Sequence, residues 1–248
     1  MKKKGATTTT ATKQRAPGRR AEHRAMRHEE ILAIALELVA ERGLSGLTTT
    51  ELARRNGAAL GALYRFFPSK QAVIAALQAQ AFVELQASLV DAVARARALP
   101  LSQHALLWAP FLALGDAWLG ERERNPARFR LIDEVLSAPD PVYADVEARP
   151  LERGVNDLLA IVKSCVDDAV AVVGSSADPA TARRFPFALW AALHGVSHFQ
   201  KRDRLVEPDF QSARVASSTI VLLLRGLGAR DADIDAAWAS LAPATLLR

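Results

Sequence analysis

At 248 residues and 50% hydrophobic composition, the chain can bury a substantial core in one or two domains, which excludes a chain disordered throughout. Its formal net charge of +5 is unevenly spread: residues 1–70 hold 14 Lys/Arg against 6 Asp/Glu, and the remaining residues hold 18 against 21. Charge so concentrated favours a polyanionic partner at the N-terminal end, because neutralising phosphates releases their counterions.

In chain order, residues 1–26 form a basic arm low in apolar content, carrying Lys2, Lys3, Lys4, Lys13, Arg15, Arg19, Arg20 and Arg24. Two readings stay open: a disordered solubilising tail, or an arm that follows phosphates or the minor groove. Both predict disorder without DNA. The basic start runs into threonines and not into an apolar segment, so no secretory signal is expected. From His28 a helical period begins, with Ile31, Ile34, Ala35 and Leu38 on one stripe and Gly43 closing the helix.

The segment from Gly43 to Lys70, GLSGLTTTELARRNGAALGALYRFFPSK, is the most informative in the chain. Thr48 and Glu51 have the spacing of a capping box, and Leu47 and Leu52 that of a hydrophobic staple, so two signals agree on one helix start. Asn56-Gly57 is turn chemistry, with Gly57 suited to the left-handed conformation that ends a helix. A second short helix fits from about Ala59 to Phe66, Pro68 ends it, and Ser69 caps the next. Leu52, Ala58, Leu63 and Phe66 are expected to form the small core, and Ala53 permits close helix approach. The layout is that of a helix-turn-helix unit whose second helix turns Leu60, Gly61, Tyr64 and Arg65 outward, toward a major groove.

After Ser69 a long helix runs through Val73, Leu77, Phe82, Leu85, Leu89 and Val93, and Pro100 begins a loop. Helical patterns follow at about 102–120, 125–137, 149–174, 180–200, 209–226 and 231–242. They are separated by Pro139-Asp140-Pro141, Gly174-Ser175-Ser176, Glu207-Pro208 and Gly226 with Gly228, and Asp178-Pro179 reads as a cap with proline in the first turn. No alternating strand run appears, so the expected class is all-α. The charge-free run Ala98 to Gly115 is interrupted by Pro100, Ser102, Gln103, His104 and Pro110, and reads as a buried helix, not a membrane span. Cys165 leaves no partner for an intramolecular disulfide and suits a reducing cytosol. It sits in a helical pattern with Val162, Val166 and Ala169, as a small core residue.

The ordered set Ile31-Leu32, Ala35, Leu38, Gly43, Thr48-Thr49, Leu52-Ala53, Gly57, Leu63-Tyr64, Phe67 and Ser69-Lys70 resembles the TetR/AcrR transcriptional regulators over roughly residues 27–77. The resemblance implies a three-helix DNA-binding domain over residues 27–87 and a larger helical effector-binding and dimerisation domain over 88–248. It departs from the family at Asn56 and at Ala58-Ala59, where Ala59 removes a recognition-helix cap worth about 1 kcal/mol.

Candidate DNA contacts are Thr48, Thr49, Thr50, Ala59, Leu60, Gly61, Ala62, Tyr64, Arg65 and Lys70. Lys70 stands at a helix N-terminus, where the dipole and free amides favour phosphate. Tyr64 can serve a phosphate or pack as a core aromatic; Arg65 can reach a guanine edge or a phosphate. Further on, Trp108, Phe111, Gly115 and Trp118 share one helix face. They read either as an ordinary core stripe or as an apolar effector pocket, with Gly115 leaving room, His104 supplying a polar group and Phe129 closing one side. In the family the corresponding region lines the ligand cavity.

His194 and His198 have a usable metal-ligand spacing, but no third ligand lies near them in sequence, so no metal site and no cofactor are expected. The resemblance instead implies that Trp190, His194, Gly195 and His198, with Ile220, Leu223 and Leu227 of the final apolar helix, pack against a second copy in a four-helix interface. Gly195-Val-Ser197-His198-Phe199 lacks the last glycine and the strand of a nucleophile elbow, and no HExxH, glycine-rich phosphate loop or cysteine pair occurs, so no enzyme is expected. The expectation is a cytoplasmic homodimeric regulator, a repressor of a palindromic double-stranded operator released by a small-molecule effector, without membrane association. The alternative is a sequence-tolerant architectural DNA-binding protein with no inducer.

Overall fold

The computed structural model describes residues 18–137, 145–174 and 179–246. Arm residues 1–17, the Pro139-Asp140-Pro141 break, Ser175-Ser176 and the Asp178 cap lie outside them. Ten α-helices occur among the described residues, and no strand: α1 (Arg19–Gly46), α2 (Thr49–Arg55), α3 (Leu60–Tyr64), α4 (Lys70–Arg97), α5 (Gln103–Arg124), α6 (Pro126–Ser137), α7 (Asp145–Val173), α8 (Pro179–Ser197), α9 (Ser212–Gly226) and α10 (Asp231–Leu241). Two short 3-10 segments, Gln200–Leu205 and Pro208–Phe210, join α8 to α9.

Local chemistry accounts for most boundaries. Thr48 accepts from the Glu51 amide at 3.2 Å, Ser69 from the Ala72 amide at 3.0 Å and Ser102 from the Ala105 amide at 3.2 Å, so hydroxyl caps start α2, α4 and α5. Gly57 takes φ +61°, the left-handed turn between α2 and α3. The largest difference from the sequence reading is the start of α1, which begins at Arg19, nine residues before the apolar period at His28, so residues 19–26 of the expected disordered arm are helical; Gly43, expected to close the helix, takes φ +69° and breaks its helical path there. Arg19 to Arg27 are exposed apart from the helix itself, so no buried stripe announced this first part.

The first three helices share a small core of Ile31, Leu38, Leu47, Leu52, Ala53 and Leu63, all at most 4% exposed. Phe67, not Phe66, is the aromatic that is buried there; its ring meets His28 at 4.5 Å, which ties the segment after α3 back to α1. Ala58 is only half-buried. The larger core is built around α5, which packs on α4, α6, α7, α9 and α10 and buries Trp108, Phe111, Leu112 and Leu119. α4 is long and apolar enough to cross a membrane by length and composition. Here it packs against α1, α5, α6 and α7, burying Phe82, Leu85 and Leu89 among them.

Three polar contacts hold α6 and the C-terminal segment. Buried Gln78 of α4 donates to the Leu131 carbonyl at 3.1 Å. Buried Glu121 of α5 pairs in two-pronged fashion with Arg128 of α6, an arrangement that satisfies a carboxylate which would otherwise be expensive to bury. Asp116 accepts from the Thr245 and Leu246 amides at 2.6 and 2.9 Å. Cys165 is buried in α7 and burial pushes its thiol up to about 11, so it is a core residue and not a reactive thiolate.

Candidate functional site

Most candidate contacts of the α2–turn–α3 unit are exposed. Leu63 turns inward at 1% exposure, which fixes the rotation of α3 and leaves Leu60 at 40% and Tyr64 at 45% exposed, beside exposed Ala59, Gly61 and Arg65. Tyr64 is therefore outward-facing and does not pack in the core. Thr48 and Thr50 are exposed, and Thr49, Ala62 and Lys70 half-buried. Ala59 stands at the N-cap of α3 with no side-chain cap, so the five-residue helix depends on Leu63 for its placement.

Glu51 corrects the capping-box expectation. Its carboxylate does not reach back to the Thr48 amide; it accepts from Arg54 through two bonds of 2.8 Å and from Arg55 Nε at 3.2 Å. Arg55 also donates to Glu41 of α1 at 2.9 and 2.5 Å. The Arg54 hydrogen bonds, aided by Arg55, hold the Glu51 carboxyl down to about 2. Guanidinium groups outcompete a backbone amide for a carboxylate because their bonds are charge-assisted. The network locks α2 to α1 and draws two of the region's positive charges into internal pairs. Lys70, by contrast, opens α4 next to the Ser69 cap.

Beyond this unit, an apolar cavity of about 40 Å³ lies between α4, α5, α6, α7 and α8. Phe82 and Leu89 of α4, Trp118 of α5, Leu136 of α6, Leu158 of α7 and Trp190 of α8 are among its walls. Of the sequence-based effector residues only Trp118 lines it. Trp108 and Phe111 are buried in the core, with Phe111 edge-on to Phe185 at 5.4 Å. Gly115 leaves no ligand room: a Cβ there would come 2.4 Å from Ile220 Cδ1, so the missing side chain seats α9. His104 is exposed, and Phe129 lies tilted near Trp118, with ring centres 6.2 Å apart, without lining the cavity. The wall residues on α7 and α8 carry no sequence signal beyond ordinary helical periodicity.

The residues assigned to a second copy also divide. Ile220 and Leu227 are buried within the protomer, so neither can form an open face, whereas Leu223 is half-buried and packs in part against the core. Gly195 is exposed with open space around it, and Phe187, Ala188, Ala191 and Phe199 of the same helical region, with Leu222 of α9, are exposed as well. Trp190 lines the cavity. His194 and His198 turn toward α6, where His198 Nε2 meets Asp133 Oδ1 at 3.2 Å, so folding supplies the third group that the sequence lacked. Burial and the neighbouring His198 lower the His194 imidazole below its ordinary value.

Residues 31–77 match the family of bacterial regulatory proteins of the tetR family. No curated protein matches the chain in sequence. Among solved structures, the fold resembles a TetR-family transcriptional regulator from Agrobacterium tumefaciens, at 17% identity over 82% of this chain and 98% of that one, TM-score 0.58. It also resembles the transcriptional regulator FadR from Bacillus subtilis in complex with stearoyl-CoA, at 12% identity over 80% and 98% of the two chains, TM-score 0.57. A third is SmeT, the repressor of the Stenotrophomonas maltophilia multidrug efflux pump SmeDEF, at 18% identity over 89% and 96%, TM-score 0.55. Residues 31–77 are thus similar to the helix-turn-helix domain of the tetR family, and the helical C-terminal region behind them follows the fold of these regulators.

Proposed function

We propose that the protein is a homodimeric repressor whose two α3 helices occupy major grooves on one face of a palindromic operator, and which an apolar small molecule releases. In this reading residues 27–87 read DNA, residues 88–248 bind the effector and the second copy, and the basic arm before them adds phosphate contacts. The half-sites are then about 34 Å or a multiple apart. Tyr64, Thr49, Thr50 and Lys70 hold phosphates, Leu60, Gly61 and Ala62 approach base edges, and Arg65 serves either.

One observation carries the reading. α4 is a single helix from Lys70 to Arg97 that starts at the DNA-facing unit and places Phe82 and Leu89 in the wall of the apolar cavity. A ligand that enlarges the cavity must move α4 or its neighbours, because packed helices shift as bodies and do not deform continuously. At about 40 Å³ the cavity is far below the ~300–1,000 Å³ of typical ligand sites, so entry requires the helices to part. The walls favour an apolar, acyl-like effector, and FadR's stearoyl-CoA is of that chemistry. The exposed Phe187, Ala188, Ala191, Gly195, Phe199 and Leu222 supply the face for the second copy, where small residues permit close helix approach.

Fragments selected from random DNA by the purified protein identify the operator, and competition with genomic DNA separates a regulator from a sequence-tolerant binder. With that operator, linkage requires the effector and DNA to weaken each other by the same factor. Medium-chain and long-chain acyl-CoAs are the first probes. Operator binding that tolerates excess genomic DNA no better than random DNA does sinks the repressor reading.

A further inference from the structure

We propose a divalent transition-metal site, of the class filled by Zn²⁺, formed by Asp133 of α6 and His194 and His198 of α8, with the Ser137 hydroxyl or a water completing it. The donor groups of Asp133, His194 and His198 lie within 4.8 Å of one another. The two Nε2 atoms are 3.2 Å apart, and Asp133 Oδ1 is 3.2 Å from His198 Nε2. Ser137 Oγ lies 3.4 Å from His194 Nε2, 3.3 Å from His198 Nε2 and 3.2 Å from Asp133 Oδ1. A tetrahedral ion with bonds of about 2.0–2.1 Å requires its ligand atoms to stand about 3.3 Å from each other. Five of the six edges of this four-atom figure meet that requirement.

Hydrogen bonding alone accounts for the cluster poorly. The five short contacts can share at most three protons, one from the Ser137 hydroxyl and one from each Nε2, and each such proton removes a lone pair. A cation at the centre uses all four lone pairs at once. Two imidazoles with one carboxylate select a borderline ion of the zinc kind and not magnesium or calcium, which prefer oxygen throughout.

The surroundings suit a built site. The His194 ring stacks on Trp190 at 5.6 Å and lies near Trp118 at 6.0 Å, which sets its plane. Gln78 and the Glu121–Arg128 pair hold α6 in position independently of the cluster. Asp133 and His198 also wall a second, more polar cavity, which they share with Arg122, Arg130 and Lys201. Leu136 and Leu193 sit next in the chain to Ser137 and His194 and line the apolar cavity, so a bound ion pins α6 to α8 beside it. The inference does not depend on the repressor reading.

The test uses the full chain freed of metal by a chelator. Co²⁺ is expected to bind one per chain with the intense visible absorption of four-coordinate geometry, and Zn²⁺ to displace it. His198→Gln and Asp133→Asn should each weaken Zn²⁺ binding by about 100-fold, the upper end of what even supporting residues contribute, whereas His23→Gln and His104→Gln leave it unchanged. Zn²⁺ should raise the melting temperature of the wild type but not of the two ligand variants, whose metal-free helical content and melting match the wild type's. Zn²⁺ affinity unchanged in both ligand variants, or a weak six-coordinate Co²⁺ spectrum, overturns the assignment.

Discussion

The DNA-facing unit and the C-terminal region differ in how far apart their cooperating residues lie. In the first, the cap at Thr48, the turn at Gly57, the inward Leu63 and the outward Tyr64 fall within seventeen consecutive residues, and the helical period sets which way each side chain points. In the second, a wall of one cavity draws Phe82, Trp118, Leu158 and Trp190 from four helices, and the proposed ion site joins α6 to α8. Function encoded locally survives with a small core; function encoded at long range depends on how helices dock.

Four substitutions sharpen this contrast, taken from the largest expected effect down. Leu52→Ala removes a side chain 1% exposed from the small core shared by α1, α2 and α3. It should cost about 2–5 kcal/mol, read in a urea melt, and abolish operator binding. If the loss melts α1 to α3 while the C-terminal helices persist, the two regions are separate cooperative units; a single shared transition would break the contrast.

Next, Tyr64→Ala and Lys70→Ala should each lower operator affinity about tenfold, with helical content and oligomeric state unchanged. For Lys70→Ala the slope of log affinity against log salt should fall by about 1, as expected for one lost phosphate contact. Unaltered affinity in both variants means that the exposed face of α3 is not the groove face. The smallest effect is a gain: Ala59→Ser restores a hydroxyl at the uncapped start of α3 and should stabilise that unit by about 1 kcal/mol in the same melt.

Much of the fold was readable because its signals are local. Thr48 and Ser69 cap where their residue type and the following apolar period predict, and Gly57 turns as its lack of Cβ allows. Other readings failed for a common reason. Trp108, Phe111 and Gly115 share a helix face with Trp118, but periodicity cannot tell a face packed on α9 from one that lines a cavity, and Ile220 fills the space that Gly115 leaves. Ile220 and Leu227 are as apolar as a dimer face requires, yet the protomer buries them itself, leaving Leu222 outside. Arg54 and Arg55 count toward the basic charge of the N-terminal region, but Glu51 and Glu41 hold them.

The sequence by itself determined the all-helical class, the helix-turn-helix unit and the outward face of its short second helix, since caps, turns and the 3.6-residue period act between residues a few positions apart. Only the tertiary structure decided which aromatic walls the cavity and which apolar residues stay exposed. It alone brought Asp133 to His194 and His198, because docking of helices distant in sequence is set by the packing of their whole faces, which no short window of residues records.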